Sequence, residues 1–192
     1  MKNRSILSLS ALAVLGLTAF TFTFQPIAAP APIQTTDVKA TRGAYLVKIM
    51  GCHDCHTPWK VGPQGPEPDM TRMLSGHPQD LVMPPVAPHK EPWGFVGAAT
   101  NTAFSGAWGV SFTANLTPDP DTGLGKWTEE TFIRAIRTGR HEGQGRPILP
   151  PMPYSQYKNA TDEDLSSIFS FLRSIPAIRN RVPQPIDPPE SE

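Results

Sequence analysis

Apolar residues recur at helical spacing in three parts of this chain, and long stretches without a clear period separate them. The first part predicts a helix that begins near Thr36 or Asp37 and ends near Gly51, with its apolar positions only roughly on one face. Gly43 lies inside this helix, where glycine costs about 1 kcal/mol relative to alanine. Its presence indicates either the close approach of another helix or a tolerated surface position.

Two later helices have clearer boundaries. Thr128 can cap the second, which carries acidic residues in its first turn and arginines towards its end, and Gly139 is a natural stop. Thr161 can cap the third, whose apolar residues repeat at helical spacing until Pro176 ends it. The pattern therefore predicts a mainly α protein.

A stretch from about residue 57 to 114 interrupts the helical pattern. Prolines occur throughout it and exclude a long helix, while the segment from Phe95 to Phe112 alternates weakly and is compatible with one short hairpin. Beyond Pro176, further prolines predict an extended tail over residues 177–192 with a poorly ordered tip.

Composition limits what this chain can be. Its 192 residues suggest one domain, and its 23 prolines with 39% hydrophobic residues predict a thin core. The formal net charge is zero, so no strong electrostatic steering is expected and nothing indicates nucleic-acid binding.

The N-terminus predicts export. Lys2 and Arg4 precede an apolar run from about Ile6 to Phe24, and small residues follow at Ala28 and Ala29. This order is typical of a secretory signal peptide over residues 1–29, followed by a tether over residues 30–36. An uncleaved run would instead be an N-terminal anchor, so we expect a periplasmic protein or one held at the outer face of the inner membrane.

The most specific motif is Cys52-His53-Asp54-Cys55-His56. Two cysteines separated by two residues and followed by histidine are the attachment signature of a c-type haem. Cys52 and Cys55 would form thioethers with the porphyrin, and His56 would be the proximal ligand of the iron. The alternatives are a redox dithiol, half of a zinc site or a disulfide, although no other cysteine is present to complete a zinc site.

The sixth position of the iron decides the function. Met152 lies between prolines in a stiff loop that connects two helices, and we expect it to be the distal ligand. Met83 is the second choice, and the remaining candidates are methionines or histidines elsewhere in the chain: Met70, Met73, His77, His89 and His141. Met152 as an ordinary core residue is the structural alternative.

The chain resembles the class I c-type cytochromes, in particular the haem domains of cytochrome subunits of bacterial alcohol, aldehyde and gluconate dehydrogenases. The resemblance covers about residues 38–176 and rests on these matching segments: residues 43–46, the haem motif, residues 115–119, 123–128, Met152-Pro153 and 161–173. It implies a cytochrome c fold of a few helices around one haem, with the first and last helices crossing near Gly43 and Phe171. It also implies Met152 as distal ligand.

This resemblance implies a cytochrome domain over residues 37–176, with the proline-rich stretch as an insert that covers the haem edge or docks a redox partner. The insert separates His56 from Met152 more widely than in small cytochromes. Two function classes remain: an electron carrier for a dehydrogenase, an oxidase or another cytochrome, and a haem enzyme or gas sensor with an exchangeable distal site. A peroxidase of the cytochrome type would carry a second haem motif, and the sequence has one.

Overall fold

The first helix leads directly into the haem motif. The computed structural model describes residues 35–84 and 92–188. Helix α1 spans Thr35–Ile49 and helix α2 spans Cys52–His56, and between them Gly51 has a φ of 69°. That left-handed conformation suits glycine and ends α1 as predicted. Helix α1 begins two residues inside the predicted tether, whereas the predicted signal peptide and the capping side chains of Thr36 and Asp37 lie outside the described residues.

The two later helices form where their capping residues predict them. Helix α3 spans Glu129–Thr138; the Thr128 hydroxyl accepts a hydrogen bond from the Thr131 backbone N–H, and Gly139 closes the helix with a φ of 64°. Helix α5 spans Asp162–Ser174, and the Thr161 hydroxyl accepts from the Asp164 N–H. Short-range interactions therefore determine both sets of boundaries.

Helices α1 and α5 cross at Gly43. A Cβ at this position would overlap the carbonyl oxygen of Ser167 and lie 2.8 Å from the Cβ of Phe171. The crossing implied by the resemblance is therefore confirmed, and close approach explains the glycine. The main core surrounds this contact, and its members include Leu46, Val47, Phe132, Leu165, Ile168, Phe169 and Leu172.

The insert contains more strand structure than the sequence pattern predicts. Strand β1, Trp59–Gly62, pairs antiparallel with β2, Gly65–Pro68, through a two-residue turn. Strands β3, Phe95–Gly97, β4, Ala103–Gly106, and β5, Gly109–Phe112, form a second antiparallel sheet in the order β3-β4-β5. The short hairpin expected within residues 95–112 is present as β4 and β5, while β3 and the β1–β2 ribbon were not predicted.

The described protein is consequently mixed α and β, with helices that pack the main core and two small sheets in the insert. The mainly α prediction is not confirmed, because it did not include these strands, which are only three or four residues long and rich in glycine and so show little alternation. Prolines in β2 are tolerated because a two-stranded ribbon leaves an edge where the missing N–H needs no partner.

Short elements and an extended segment complete the fold. Three-residue 3₁₀ turns occupy Met70–Arg72 and His141–Gly143, and helix α4 spans Tyr154–Tyr157. Residues 177–188 contain no helix or strand, and Ile186 forms an antiparallel bridge with Val110 of β5. This bridge joins the segment after residue 176, which the sequence predicts to be an extended tail, to the three-stranded sheet. Across the described ranges, none of the helices has both the length and the apolar character needed to cross a membrane.

Candidate haem attachment site

Helix α2 places the residues of the haem motif. Cys52 and Cys55 are three residues apart in this helix, so their side chains lie on the same side of it. Both are free thiols and each is partly buried. His56 is the last residue of the helix and is 8% exposed. The motif therefore brings the two thiols and the imidazole of His56 together within five residues.

The imidazole of His56 is oriented by a distant backbone carbonyl. Its Nδ1 lies 2.8 Å from the carbonyl oxygen of Ala114. Because a carbonyl oxygen can only accept, Nδ1 carries the proton and Nε2 keeps its lone pair. Burial lowers the pKa of His56, which favours the neutral imidazole. A neutral imidazole with Nδ1–H bonded to a carbonyl is the form that binds metals through Nε2.

The two thiols lack the properties of a redox dithiol. Burial raises the pKa of Cys52 to about 11, and burial also raises the pKa of Cys55. Reactive dithiols have lowered pKa values because the thiolate is the nucleophile. In residues 35–84 and 92–188, no cluster of three or more His, Cys, Asp and Glu side chains could hold a metal ion. The raised pKa values of the two thiols therefore do not favour the dithiol interpretation.

The methionine candidates occupy different environments. Met152 and Met73 are partly buried and pack against the same core cluster as Cys52. Met70 is 57% exposed on the surface. Met83 lines an open groove beside the three-stranded sheet. Of the two methionines preferred from the sequence, Met152 is therefore the one that shares a cluster with the haem motif.

Helix α4 ties the loop that contains Met152 to the rest of the fold. The hydroxyl of Tyr157 donates a hydrogen bond to the Met50 carbonyl at the end of α1. Burial raises the pKa of Tyr157 to about 12, so this group stays a donor at neutral pH. Gly139 makes room for the ring of Tyr154, since a Cβ there would overlap it. Sequence reasoning missed both tyrosines, although their three-residue spacing after Met152 is a helical signal.

The histidine candidates for the distal ligand also differ in burial and in their contacts. His77 is fully buried: Nδ1 lies 3.0 Å from the Thr102 hydroxyl oxygen, and Nε2 lies 2.9 Å from the Leu81 carbonyl oxygen. Both of its ring nitrogens are therefore engaged. His141 is exposed and packs edge-on against the ring of Trp127. His89 lies outside the described residues.

These residues fit a covalently bound c-type haem. Cys52 and Cys55 would hold it through thioethers, and Nε2 of His56 would ligate the iron. Partly buried apolar side chains that pack on the core next to the motif would supply the low-polarity surroundings: Leu116, Trp127, Ile133, Met152 and Tyr157. The fit rests on the donor set and on the orientation of the imidazole.

Known proteins resemble this chain over much of its length. No family model matches it. The alcohol dehydrogenase (quinone) cytochrome c subunit of Gluconobacter oxydans is 25% identical over 131 residues, which is 68% of this chain and 20% of that protein. The gluconate 2-dehydrogenase cytochrome c subunit of Pantoea cypripedii is 26% identical over 159 residues, 83% of this chain and 27% of that protein.

The chain resembles the cytochrome c subunits of dehydrogenases. This confirms the resemblance inferred from the sequence, and the names of these relatives agree with an electron carrier. The fructose dehydrogenase cytochrome subunit of Gluconobacter japonicus is 27% identical over 143 residues, 74% of this chain and 22% of that protein. The chain spans less than a third of the length of each of these relatives.

Proposed function

We propose that this chain is an electron-transfer protein with one covalent c-type haem, attached through Cys52 and Cys55 and ligated by His56 and Met152. The observation that carries the proposal is the arrangement at His56. Two free thiols precede it, and its Nδ1 is bonded to a carbonyl, which leaves Nε2 for the iron. One motif in the sequence supports one haem.

Each residue has a defined part in this function. The bound haem supplies an iron that is either ferrous or ferric. His56 would donate its Nε2 lone pair to the iron, and the hydrogen bond to the Ala114 carbonyl would increase the basicity of that nitrogen. The thioether of Met152 as the second protein ligand would raise the reduction potential relative to a second histidine. Tyr157 holds the loop that carries Met152, so the ligand set would change little between the two oxidation states.

The partner follows from the relatives. Those that match are dehydrogenase subunits, so we propose a dehydrogenase as the electron donor, with an oxidase or another cytochrome as acceptor. We also propose that the protein is exported and is either periplasmic or anchored at the outer face of the inner membrane. Export agrees with the N-terminal sequence and with attachment of c-type haem outside the cytoplasm.

Spectroscopy of the protein purified after expression with a haem-attachment system tests the proposal. We expect covalent haem at one per chain, a thioether-to-iron charge-transfer band at the red end of the ferric spectrum, and no rapid binding of carbon monoxide to the ferrous form. Met152→Ala should abolish the band and lower the midpoint potential. Met70→Ala is the matched control, because Met70 is exposed.

The outcomes separate the alternatives. Rapid carbon monoxide binding by the wild-type protein would refute a filled distal position and would favour a haem enzyme or gas sensor. An unchanged band in Met152→Ala would move the distal ligand to another methionine, and Met83→Ala would then be measured. Absence of covalent haem in the wild-type protein would refute the function itself.

A further inference from the structure

The C-terminal segment contains a buried asparagine that joins separate parts of the chain. Asn180 is 2% exposed. Its side-chain amide donates to the carbonyls of Ser75, at 2.7 Å, and His77, at 2.8 Å, while its Oδ1 accepts from the Gln79 N–H at 3.0 Å. Its backbone N–H donates to the Thr122 hydroxyl at 3.0 Å. A side chain bonded in this way fixes the backbone on both sides of Gly76.

The segment that Asn180 holds contacts the proximal histidine. The Gly76 N–H donates to the carbonyl of His56 at 2.8 Å, and the His77 N–H donates to the carbonyl of Thr113 at 3.0 Å. Gly76 has a φ of 75°, and a Cβ there would lie 2.6 Å from the carbonyl oxygen of Ala114. The backbone around Gly76 therefore packs directly on the carbonyl that accepts from His56.

A second set of hydrogen bonds holds the residue that follows Ala114 in the chain. Asn115, which follows Ala114, is 3% exposed. Its side-chain amide donates to the carbonyl of Ile178 at 2.8 Å and lies 3.4 Å from the carbonyl oxygen of Asn180. Thus the C-terminal segment holds both the residue after Ala114 and the loop packed against it.

We propose that Asn180 is a positioning residue for the proximal histidine, acting through the Ala114 carbonyl to orient the imidazole of His56. The proposal rests on the proposed haem function. A firmly held carbonyl strengthens the Nδ1–H hydrogen bond, makes the imidazole a stronger donor and stabilises ferric iron. Loss of the Asn180 amide leaves two carbonyls without this donor, loosens the Ala114 carbonyl and raises the midpoint potential.

The test uses the haem-loaded full-length protein and the variant Asn180→Ala. NMR exchange of the His56 Nδ1–H in this variant should be faster, by up to about tenfold, because the upper end of the net contribution of one buried hydrogen bond corresponds to that factor. The midpoint potential should rise. Arg181→Ala is the matched control: its side chain is exposed in the same segment, and its N–H bond to Gln79 does not need the side chain, so both values should stay unchanged.

A second variant keeps the test decisive if Asn180→Ala does not fold. Asn180→Asp retains the acceptor for Gln79, and its carboxyl can donate only when protonated. At equal pH, the difference between the Nδ1–H exchange rates of this variant and the wild-type protein should therefore shrink as the pH is lowered. Ile168→Val, a change in the buried core, controls for lost stability and should leave the midpoint potential unchanged.

The results distinguish two failures. If the wild-type protein carries no covalent haem, the proposed function fails. If the wild-type protein carries haem but the Asn180 variants keep its midpoint potential and its Nδ1–H exchange rate, the positioning role alone is refuted. A shift of equal size in Ile168→Val would also refute it, since general loss of stability would then explain the effect.

Discussion

The helix crossing at Gly43 allows a quantitative prediction. In Gly43→Ala, the new methyl group would overlap the Ser167 carbonyl oxygen and lie 2.6 Å from the carbonyl carbon. Carbon atoms in contact are normally about 3.5–4.0 Å apart, so α1 and α5 must separate by about 1 Å at this point. The neighbouring atoms are the Ser167 carbonyl and the Cβ of Phe171, all fixed to the backbone of α5, so no rotation of a side chain can relieve the overlap.

The size of the effect follows from two opposing terms. Overpacking of a core contact costs about 1–3 kcal/mol, and we expect the upper end because the backbone of α5 has to move. Alanine recovers about 1 kcal/mol through its higher helix propensity. The expected loss is therefore about 2 kcal/mol in the free energy of unfolding, which corresponds to a fall in Tm of about 4–8 °C for a domain of this size.

Urea unfolding of the haem-loaded protein, followed by circular dichroism and by haem absorbance, measures this loss. Gly94→Ala is the matched control, since a Cβ at Gly94 meets no atom within 4 Å, and its stability should lie within about 0.5 kcal/mol of the wild-type value. If Gly43→Ala is as stable as the wild-type protein or more stable, the tight crossing is wrong.

Three further predictions concern other contacts. Tyr157→Phe removes the hydroxyl that holds the loop of Met152, so the thioether-to-iron band should disappear at a lower temperature in thermal spectra; an unchanged temperature would contradict this role. Burial lowers the pKa of His77, so protonation of its imidazole favours the unfolded state, and the free energy of unfolding should fall as the pH drops below about 6.5 towards the folded pKa. His77→Gln should flatten that part of the pH profile measured by urea unfolding. An equal slope in the variant and the wild-type protein would contradict this role of His77. Thr161→Ala removes the cap that accepts from the Asp164 N–H and should cost about 1 kcal/mol in urea unfolding, while Thr161→Ser should retain most of the stability.

Local sequence was sufficient for several features because the interactions that form them span few residues. Thr128 and Thr161 cap helices α3 and α5 through hydrogen bonds to residues three positions ahead. The spacing of Cys52, Cys55 and His56 predicts haem attachment without any knowledge of the fold, since the three residues share one short helix.

Tertiary structure decided what lies around that motif. The carbonyl that orients His56 belongs to Ala114, 58 residues away, and the Asn180 amide reaches the carbonyl of Ser75 across 105 residues. Prolines near the C-terminus predict an extended tail with a poorly ordered tip, and no periodic pattern in the sequence indicates that Asn180 is buried. The haem motif can thus be identified from the sequence alone, whereas the orientation of the His56 imidazole depends on contacts between distant segments, which form only when the chain folds.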